Sequence, residues 1–262
     1  MCVKLSGFMG RVISIANQKG GVGKTTTAVN LSASLGVAER KVLLVDFDPQ
    51  GNATSGVGVE AEKGVYEVLS GRCSIEEAIH PTEIPFLKVL PSTIDLIGLE
   101  VELVDEEGRE RRLKEAIEGV KEEFDFVFID CPPSLGLLTV NALTASDSVL
   151  IPLQCEYYAL EGISRMLKTI ELIRERFNPS LHIEGIVLTM FDGRNNLSRQ
   201  VTEEVKRFFP DKVFSTVIPR NVRLSEAPSF GKPIILYDIN SKGCASYMDL
   251  AREMIKRRSM VV

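Results

Sequence analysis

The sequence of 262 residues contains no tryptophan and only two histidines, His80 and His182. Its five cysteines are scattered along the chain without a C-x-x-C pair, so neither a disulfide framework nor a zinc site is predicted. It also lacks an apolar run long enough to span a membrane, and it opens without a signal-peptide pattern. These absences predict reduced thiols, a cytoplasmic location and no membrane-spanning helix.

Acidic residues outnumber basic ones, which gives a formal net charge of −5, but the two signs are unevenly distributed. Residues 1–190 carry 18 Lys and Arg against 28 Asp and Glu, whereas residues 191–262 carry 13 against 8. The overall balance argues against a generally basic nucleic-acid binder. The basic excess in the last part of the chain leaves a positively charged face possible there.

A glycine-rich segment, Lys19-Gly-Gly-Val-Gly-Lys-Thr-Thr26, follows a β-branched run at residues 11–16 and precedes a helical pattern at residues 26–35. Glycines allow the backbone to turn its N–H groups inward around anionic oxygens, and the helix N-terminus adds a partial positive charge. In such a loop Lys24 reaches the β- and γ-phosphates, and the Thr25 hydroxyl ligates Mg²⁺. The segment therefore predicts nucleotide binding.

This loop departs from the usual phosphate-loop template in two places. Gln18 occupies the position of the first glycine, and Lys19 is a second lysine that would repel Lys24 unless a highly charged anion lay between them. Residues 17–27 resemble the loop of the ParA/Soj family of chromosome and plasmid partitioning ATPases, which belongs to the ParA/MinD superfamily with a deviant Walker A motif.

Three further segments resemble motifs of the same family. Residues 45–52 are similar to its switch I, residues 129–134 to its switch II, and residues 218–228 to a long C-terminal motif. Because the matching segments are spread over residues 11–233, the resemblance covers nearly the whole chain. It implies an ATPase, and the absence of the Asn-Lys-x-Asp motif of G proteins favours ATP over GTP.

Apolar, β-rich runs alternate with helical stretches along the chain. The predicted strands lie at residues 12–16, 42–45, 87–90, 126–129, 148–152, 183–189 and 213–218. Continuous rather than alternating apolar strands favour a parallel sheet that is covered on both faces. The predicted fold class is therefore α/β, with a doubly wound, mostly parallel sheet, helices on both faces and ligands at the carboxyl ends of the strands.

No linker or internal repeat divides the sequence. We predict a single ATPase domain over residues 11–262, preceded by an N-terminal extension at residues 1–10. Residues 100–123 predict an exposed, charge-rich helix, and residues 245–258 a terminal helix whose apolar face docks on the core. No helix-turn-helix domain precedes the first strand, so sequence-specific DNA binding is not expected.

The family resemblance implies a site for ATP and Mg²⁺. The phosphates would be bound by Lys19, Gly20, Gly21, Val22, Gly23, Lys24, Thr25 and Thr26, and the adenine by Pro219 and Asn221. Mg²⁺ would be held by Thr25, Asp46 and Asp130. The catalytic residues would be Lys19, Lys24 and Asp48, where Asp48 orients or deprotonates the attacking water. Lys19 would reach across a two-fold interface to the phosphates of the partner subunit.

The resemblance also implies three partners. ATP would be sandwiched in a homodimer, the dimer would bind non-specific double-stranded DNA on the nucleoid, and a ParB-type centromere-binding protein would stimulate hydrolysis. No membrane partner is expected. The candidate DNA-binding residues are Arg199, Arg220, Arg223 and Lys232, flanked by Lys206. The alternative for Arg220 and Arg223 is that they pin a loop through contacts with the backbone.

Two other functions compete with this interpretation. A MinD-like, membrane-cycling regulator of division placement would need a terminal amphipathic helix that inserts into the bilayer. An electron-transfer protein with an iron–sulfur cluster at a dimer axis would need two suitably spaced cysteines in each chain. Cys131 lies in the predicted switch II, but no second cysteine has the required spacing.

Overall fold

The computed structural model describes residues 10–259, so most of the predicted N-terminal extension lies outside the described residues. Within this range one eight-stranded sheet has the order β3-β4-β2-β5-β1-β6-β7-β8. All neighbouring strands are parallel except the antiparallel pair β3 and β4. The strands are β1 (Arg11–Ile15), β2 (Val42–Asp46), β3 (His80–Pro81), β4 (Leu87–Leu90), β5 (Phe126–Asp130), β6 (Ser148–Gln154), β7 (His182–Phe191) and β8 (Val213–Pro219).

Helices cover both faces of the sheet, as the predicted doubly wound fold requires. They are α1 (Lys24–Val37), α2 (Asn52–Gly56), α3 (Val65–Leu69), α4 (Ile75–Ala78), α5 (Leu96–Glu102), α6 (Arg112–Glu118), α7 (Leu137–Ala145), α8 (Ala159–Arg176), α9 (Asn196–Phe208), α10 (Val222–Glu226), α11 (Ile234–Tyr237) and α12 (Lys242–Ser259). Two hydrophobic cores result. One contains buried residues of α6, α7, α8 and α9, and the other those of α1, α2 and α12.

The central strands explain why the sequence pattern was continuous rather than alternating. Every residue of β2 and β5 is buried, because each strand lies between two others and both faces of the sheet are covered. Each of these strands ends in an aspartate, and the register places Asp46 opposite Asp130. The sheet therefore brings two carboxylates together at its carboxyl edge, beside the end of β1.

All seven predicted strands are confirmed, with boundaries that differ from the prediction by two residues or fewer. The strand that the prediction missed, β3, has only two residues, and one of them is Pro81. It lies at the edge of the sheet, where a proline that cannot donate a hydrogen bond is tolerated. Such a short strand carries no periodic signal.

The prediction of one exposed helix over residues 100–123 is wrong. The segment is broken into the end of α5, a 3₁₀ turn at Arg109–Arg111, α6 and a second 3₁₀ turn at Lys121–Glu123. Gly108 has a left-handed backbone conformation (φ +76°), which interrupts the helical path. The segment is not wholly exposed either, since Leu113 and Ile117 of α6 are buried in a core, whereas Val101 and Val104 are exposed.

The terminal helix α12 packs on the core, as predicted. Tyr247, Leu250, Ala251 and Met254 are fully buried, whereas Ile255 is only partly buried. Polar contacts fix the same helix to β8, because Glu253 accepts hydrogen bonds from the backbone N–H groups of residues 215 and 216 at 2.8 and 2.9 Å. In residues 10–259 no helix has the length and apolar character needed to cross a membrane.

The docking of α12 predicts a large stability effect at its buried face. Leu250→Ala removes a fully buried side chain and leaves a cavity, so we expect the free energy of unfolding to fall by roughly 2 to 5 kcal/mol. Leu172→Ala on α8, where the side chain is 52% exposed, is the matched control, expected to change stability by about 0.5 kcal/mol or less. Urea unfolding of both variants measures the difference, and equal losses would contradict this packing.

Candidate nucleotide-binding site

The loop between β1 and α1 has the backbone shape of a phosphate cradle. Gly21 and Gly23 have positive φ angles of 73° and 87°, a left-handed conformation that side-chain-bearing residues rarely adopt. Helix α1 begins directly afterwards at Lys24, and the N–H of Thr27 donates to the carbonyl of Gly23 at 2.9 Å. The free N–H groups of the first helical turn therefore face the concave side of the loop.

Neighbouring strands hold this loop in place. The Asn17 amide donates to the carbonyl of Pro152 at 2.8 Å and accepts a hydrogen bond from the backbone N–H of Lys19 at 3.0 Å. On the other side, the Thr189 hydroxyl donates to the carbonyl of Val22 at 2.8 Å. The cradle is thus fixed by β6 and β7 before any ligand binds.

Lys24 is buried inside the cradle. Its Nζ donates only to the carbonyl of Lys19, at 3.4 Å, among the residues that the structure describes. Burial lowers the pKa of Lys24, and the nearby carboxylates of Asp130 and Asp48 act in the opposite direction. A buried ammonium with one weak acceptor is suited to bind an anion such as the β- and γ-phosphates.

Asp130 supplies the complementary unsatisfied group. Its side chain is fully buried, and within residues 10–259 neither carboxylate oxygen has a hydrogen-bond partner. Burial raises the pKa of Asp130 well above its usual value, the charge of Asp46 adds to this, and the Thr25 hydroxyl and Lys24 act the other way. A hydroxyl and an unpartnered carboxylate are oxygen ligands of the kind that Mg²⁺ prefers, so the residues present fit a Mg²⁺ ion held by Thr25 and Asp130.

Asp46 is engaged differently from Asp130. Its Oδ2 accepts hydrogen bonds from the backbone N–H and from the hydroxyl of Thr54, both at 2.7 Å, and its Oδ1 accepts one from the N–H of Asp48 at 3.3 Å. Burial raises the pKa of Asp46 to about 6 despite these donors. Its role as a metal ligand stays a prediction, and its observed contacts are with the segment that carries Asp48.

Asp48 lies at the rim of the same cluster. It follows β2 by two residues, is half-buried, and its Oδ1 accepts a hydrogen bond from the N–H of Gln50 at 3.0 Å. Its charge acts on both Lys24 and Asp130. The geometry places a partly solvated carboxylate beside the proposed phosphate and metal positions, where it could orient a water molecule.

The Lys19 side chain is bound by a residue outside the glycine loop. Its Nζ forms an ion pair with Oε2 of Glu156 at 2.9 Å, and its side chain is 39% exposed. The adjacent Gly20 and Gly21 are exposed, and no atom lies within 4 Å of the position that a Cβ would take at either residue. Sequence reasoning missed Glu156, since nothing in the residues around β6 links them to the glycine loop.

The ends of β7 and β8 form the wall where the adenine contacts were predicted. The N–H of Arg220, between Pro219 and Asn221, donates to the carbonyl of Phe191 at 3.2 Å. Asn221 caps α10, with its Oδ1 accepting from the N–H of Leu224 at 3.3 Å. Met190, which the sequence prediction missed, has a positive φ of 49° and its Cε lies beside Gly23. A strained residue against the phosphate loop marks this wall as part of the site.

The predicted DNA-binding residues do not form one group. Arg199 and Lys206 lie on exposed turns of α9, whereas Lys232 lines a cleft of about 430 Å³ together with Thr25 and Thr26. Arg223 is paired with the side chains of Glu226 at 2.9 Å and Asp238 at 3.5 Å. These ion pairs are local, but they are not the backbone contacts that the loop-pinning alternative describes.

Arg220 is different from Arg223. No carboxylate among residues 10–259 lies within ion-pair distance of its side chain, although Arg220 contributes to lowering the pKa of Asp192. In the loop that follows β7, Asp192 is bound mainly by Arg194, and this pairing lowers the pKa of Asp192 to about 2. Arg194 is 92% exposed and was missed by the sequence prediction.

A glycine loop after a central parallel strand, with a buried lysine facing a buried aspartate on the next strand, defines a P-loop nucleoside triphosphatase. The family model described as an AAA domain matches residues 10–183. The chain is 60% identical to the chromosome partitioning protein ParA of Myxococcus xanthus, over 95% of this chain and 89% of the relative. The chain belongs to the ParA/Soj family of chromosome and plasmid partitioning ATPases.

Two further comparisons agree with this membership. The sporulation initiation inhibitor protein Soj of Bacillus subtilis is also 60% identical, over 94% of this chain and 98% of the relative. Among solved structures, the cobyrinic acid a,c-diamide synthase of Mycobacterium smegmatis with bound ADP and magnesium has a TM-score of 0.82 and 38% identity, covering 96% of each chain. ADP and magnesium are ligands of that protein, and Lys24, Thr25 and Asp130 of this chain fit ligands of the same chemistry.

Replacing the unsatisfied carboxylate of Asp130 should affect stability and ATP affinity in different ways. Asp130→Asn removes a buried ionisable group that has no partner, so the midpoint of thermal unfolding without ligand should stay equal or rise. The Mg²⁺-dependent part of the ATP affinity should fall roughly 10- to 100-fold, because the metal loses a carboxylate partner.

Titration of a fluorescent ATP analogue with Mg²⁺ and with EDTA measures both parts of that affinity. Asp249→Asn, at an exposed position of α12, is the matched control and should change neither quantity. A variant of Asp130 that keeps its full Mg²⁺-dependent affinity would show that the metal is held elsewhere.

Proposed function

We propose that this ATPase dimerises around ATP, that the ATP-bound dimer binds non-specific double-stranded DNA, and that ParB-stimulated hydrolysis releases it, which drives segregation. The observation that carries this proposal is the position of Lys19. A lysine of the phosphate loop lies outside its own cradle, paired with Glu156, beside exposed glycines. This arrangement suits a residue that acts on the nucleotide of a second copy.

The surface around Lys19 has room and apolar character for a second copy. A cleft of about 550 Å³ is lined by Lys19, by Leu135, which follows the switch II segment, and by Tyr158 at the start of α8. Leu135 and Tyr158 are large apolar side chains that the single chain leaves exposed. When two copies face each other through their phosphate loops, these side chains would be covered and ATP would lie between the subunits.

Hydrolysis in such a dimer needs a positioned water and neutralised phosphate charge. Asp48 would hold the water in line, so that its oxygen bonds to the γ-phosphorus while the bond to the β–γ bridging oxygen breaks. Lys24 in the cradle and the partner's Lys19 would stabilise the charge on the transferring group. Mg²⁺, held by Thr25 and Asp130, supplies further charge neutralisation when bound. Loss of the γ-phosphate removes what both subunits bind, so the dimer would separate.

The ion pairs indicate which of the candidate basic residues would bind DNA. Arg220 has no carboxylate partner among the described residues, and its backbone is joined to the loop that presents the exposed Arg194. Arg199 and Lys206 on the following helix add charge nearby in sequence. We assign a smaller role to Arg223, because its ion pairs with Glu226 and Asp238 already use its charge. Binding of this kind is directed at phosphates, independent of sequence and sensitive to salt.

Residues 11–262 would act as one ATPase domain in the cytoplasm, associated with the nucleoid. The MinD-like alternative requires an apolar helix face that can leave the protein for a bilayer. The apolar face of α12 is instead buried against the sheet. This contact favours DNA over a membrane as the surface on which the ATP-bound dimer assembles.

Co-sedimentation with non-specific double-stranded DNA tests the proposal. An Asp48→Ala chain, which should trap ATP, is expected to be retained with ATP but not with ADP or without nucleotide, and retention should weaken steeply as salt rises. Adding Arg220→Glu should abolish retention without changing ATP affinity. Arg252→Glu, an equal charge reversal on the outer face of α12, is the control.

Absence of retention in every nucleotide state would reject DNA binding. If the same chain then bound liposomes only with ATP, the membrane-cycling function would replace the one proposed here. A parallel loss of ATP affinity in Arg220→Glu would assign that arginine to the loop that forms the nucleotide site.

The position of Lys19 predicts a separation of binding from catalysis. Lys19→Ala leaves the cradle lysine Lys24 in place, so the ATP affinity of the single chain should stay within about twofold. Hydrolysis should fall on the order of 10³-fold, the effect of removing a positive charge supplied in trans. A phosphate-release assay measures the rate. Hydrolysis at the wild-type rate would exclude this role for Lys19.

A further inference from the structure

The segment that carries Asp48 is closed at its base by one threonine. The chain leaves β2 at Asp46, turns through residues 47–51 and returns in the short helix α2, which contains Thr54. Both the backbone N–H and the hydroxyl of Thr54 donate to Oδ2 of Asp46 at 2.7 Å. The two ends of this segment, which we call the Asp48 loop (residues 46–54), are therefore joined by two short, charge-assisted hydrogen bonds.

The hydroxyl of Thr54 has a second contact, outside the Asp48 loop. Its oxygen accepts a hydrogen bond from the backbone N–H of Ser92 at 3.0 Å, in the segment that follows β4. Thr54 and Ser92 are both buried, so water cannot replace either bond. One hydroxyl thus joins the loop both to Asp46 and to the segment that follows β4.

The other carboxylate oxygen of Asp46, Oδ1, is hydrogen-bonded to the backbone of Asp48. It accepts the backbone N–H of Asp48 at 3.3 Å, and the Asp48 carboxylate in turn accepts the N–H of Gln50 at 3.0 Å. Gly51 completes the turn with a left-handed φ of 63°, packed closely against the carbonyl of Ser92. The direction of the Asp48 side chain therefore depends on where Asp46 is held, and the Thr54 hydroxyl helps to hold it.

We propose that Thr54 is a positioning residue for ATP hydrolysis. Its hydroxyl fixes Asp46, Asp46 fixes the backbone of Asp48, and Asp48 is aimed at the attacking water. Thr54 contacts none of the reacting atoms, and it affects the rate only through this chain of hydrogen bonds. The inference rests on the proposed role of Asp48 in catalysis. It goes beyond that role because it names the residue that sets the geometry of Asp48.

Thr54→Val tests the proposal, since valine has nearly the same shape as threonine and removes only the hydroxyl. The backbone N–H bond to Asp46 remains in every variant. We expect kcat for ATP hydrolysis to fall roughly 10- to 100-fold, because a small misplacement of a catalytic group has an effect of that size. The KM for ATP should stay within about twofold, since Thr54 is not part of the phosphate cradle. Thr54→Ser restores the hydroxyl and should recover most of the rate.

Thr82→Val is the matched control for a purely structural effect. The Thr82 hydroxyl also accepts a hydrogen bond from the N–H of Ile84 at 3.1 Å and donates one to the carbonyl of Leu87 at 2.9 Å. Both of these partners are backbone groups, and Thr82 lies at the β3–β4 turn. We expect Thr82→Val to lower the thermal midpoint without changing kcat. Steady-state kinetics at a temperature well below the thermal midpoint of every variant then distinguishes the effect of Thr54 on kcat from the effect of Thr82 on stability.

The double variant Thr54→Val with Asp48→Ala tests whether Thr54 affects the rate of hydrolysis through Asp48. If Thr54 acts through Asp48, adding Thr54→Val to Asp48→Ala should cause no further loss of the residual rate. A wild-type kcat in Thr54→Val, or a failure of Thr54→Ser to recover the rate, would overturn the inference while Asp48 keeps its role. Wild-type hydrolysis in Asp48→Ala would instead reject the catalytic assignment on which the inference depends.

Discussion

Two buried ionisable groups with few or no hydrogen-bond partners, at the carboxyl edge of the sheet, are the constraint on which the rest of this structure depends. Lys24 has one weak acceptor and Asp130 has none among the described residues, although both side chains are buried. The two groups influence each other's pKa, but burial without close hydrogen-bond partners is still unfavourable for both of them. The sheet fixes Asp130 at the end of β5, and the glycine loop after the adjacent strand β1 carries Lys24 at the start of α1. A ligand that contains both an anion and a cation would satisfy the two residues. A nucleotide with Mg²⁺ has that composition.

The groups around this pair differ in how they are held, and the differences indicate their roles. Asp46 is fixed by Thr54, so it can hold the backbone of Asp48 in place. Among the described residues, the Nζ of Lys19 is held only by a partly exposed ion pair with Glu156, and an interaction of that kind contributes little to stability. A residue that must leave its own chain for a partner needs such a weak contact. In the proposed dimer, the firmly held residues would orient the reaction and the weakly held Lys19 would connect the subunits.

Most of the fold could be predicted from local sequence patterns, and part of the site could be predicted from sequence motifs. The strands were predictable because a doubly covered parallel sheet produces continuous apolar runs, and the glycine loop because its backbone requires glycine. The break at Gly108 and the two-residue strand β3 were not, since neither has a periodic signal. The partners Glu156, Thr54 and Met190 were also missed. Their roles arise from contacts between segments distant in sequence, and residue type alone does not reveal such contacts.

The central claim is that ATP is the contact between two copies of the chain. Light scattering on the Asp48→Ala chain, loaded with Mg²⁺ and either ATP or ADP, tests it most directly. We predict a mass twice that of the 28.9 kDa chain with ATP and the mass of a single chain with ADP. The same mass with both nucleotides would contradict the account, since the γ-phosphate would then have no role in joining the subunits.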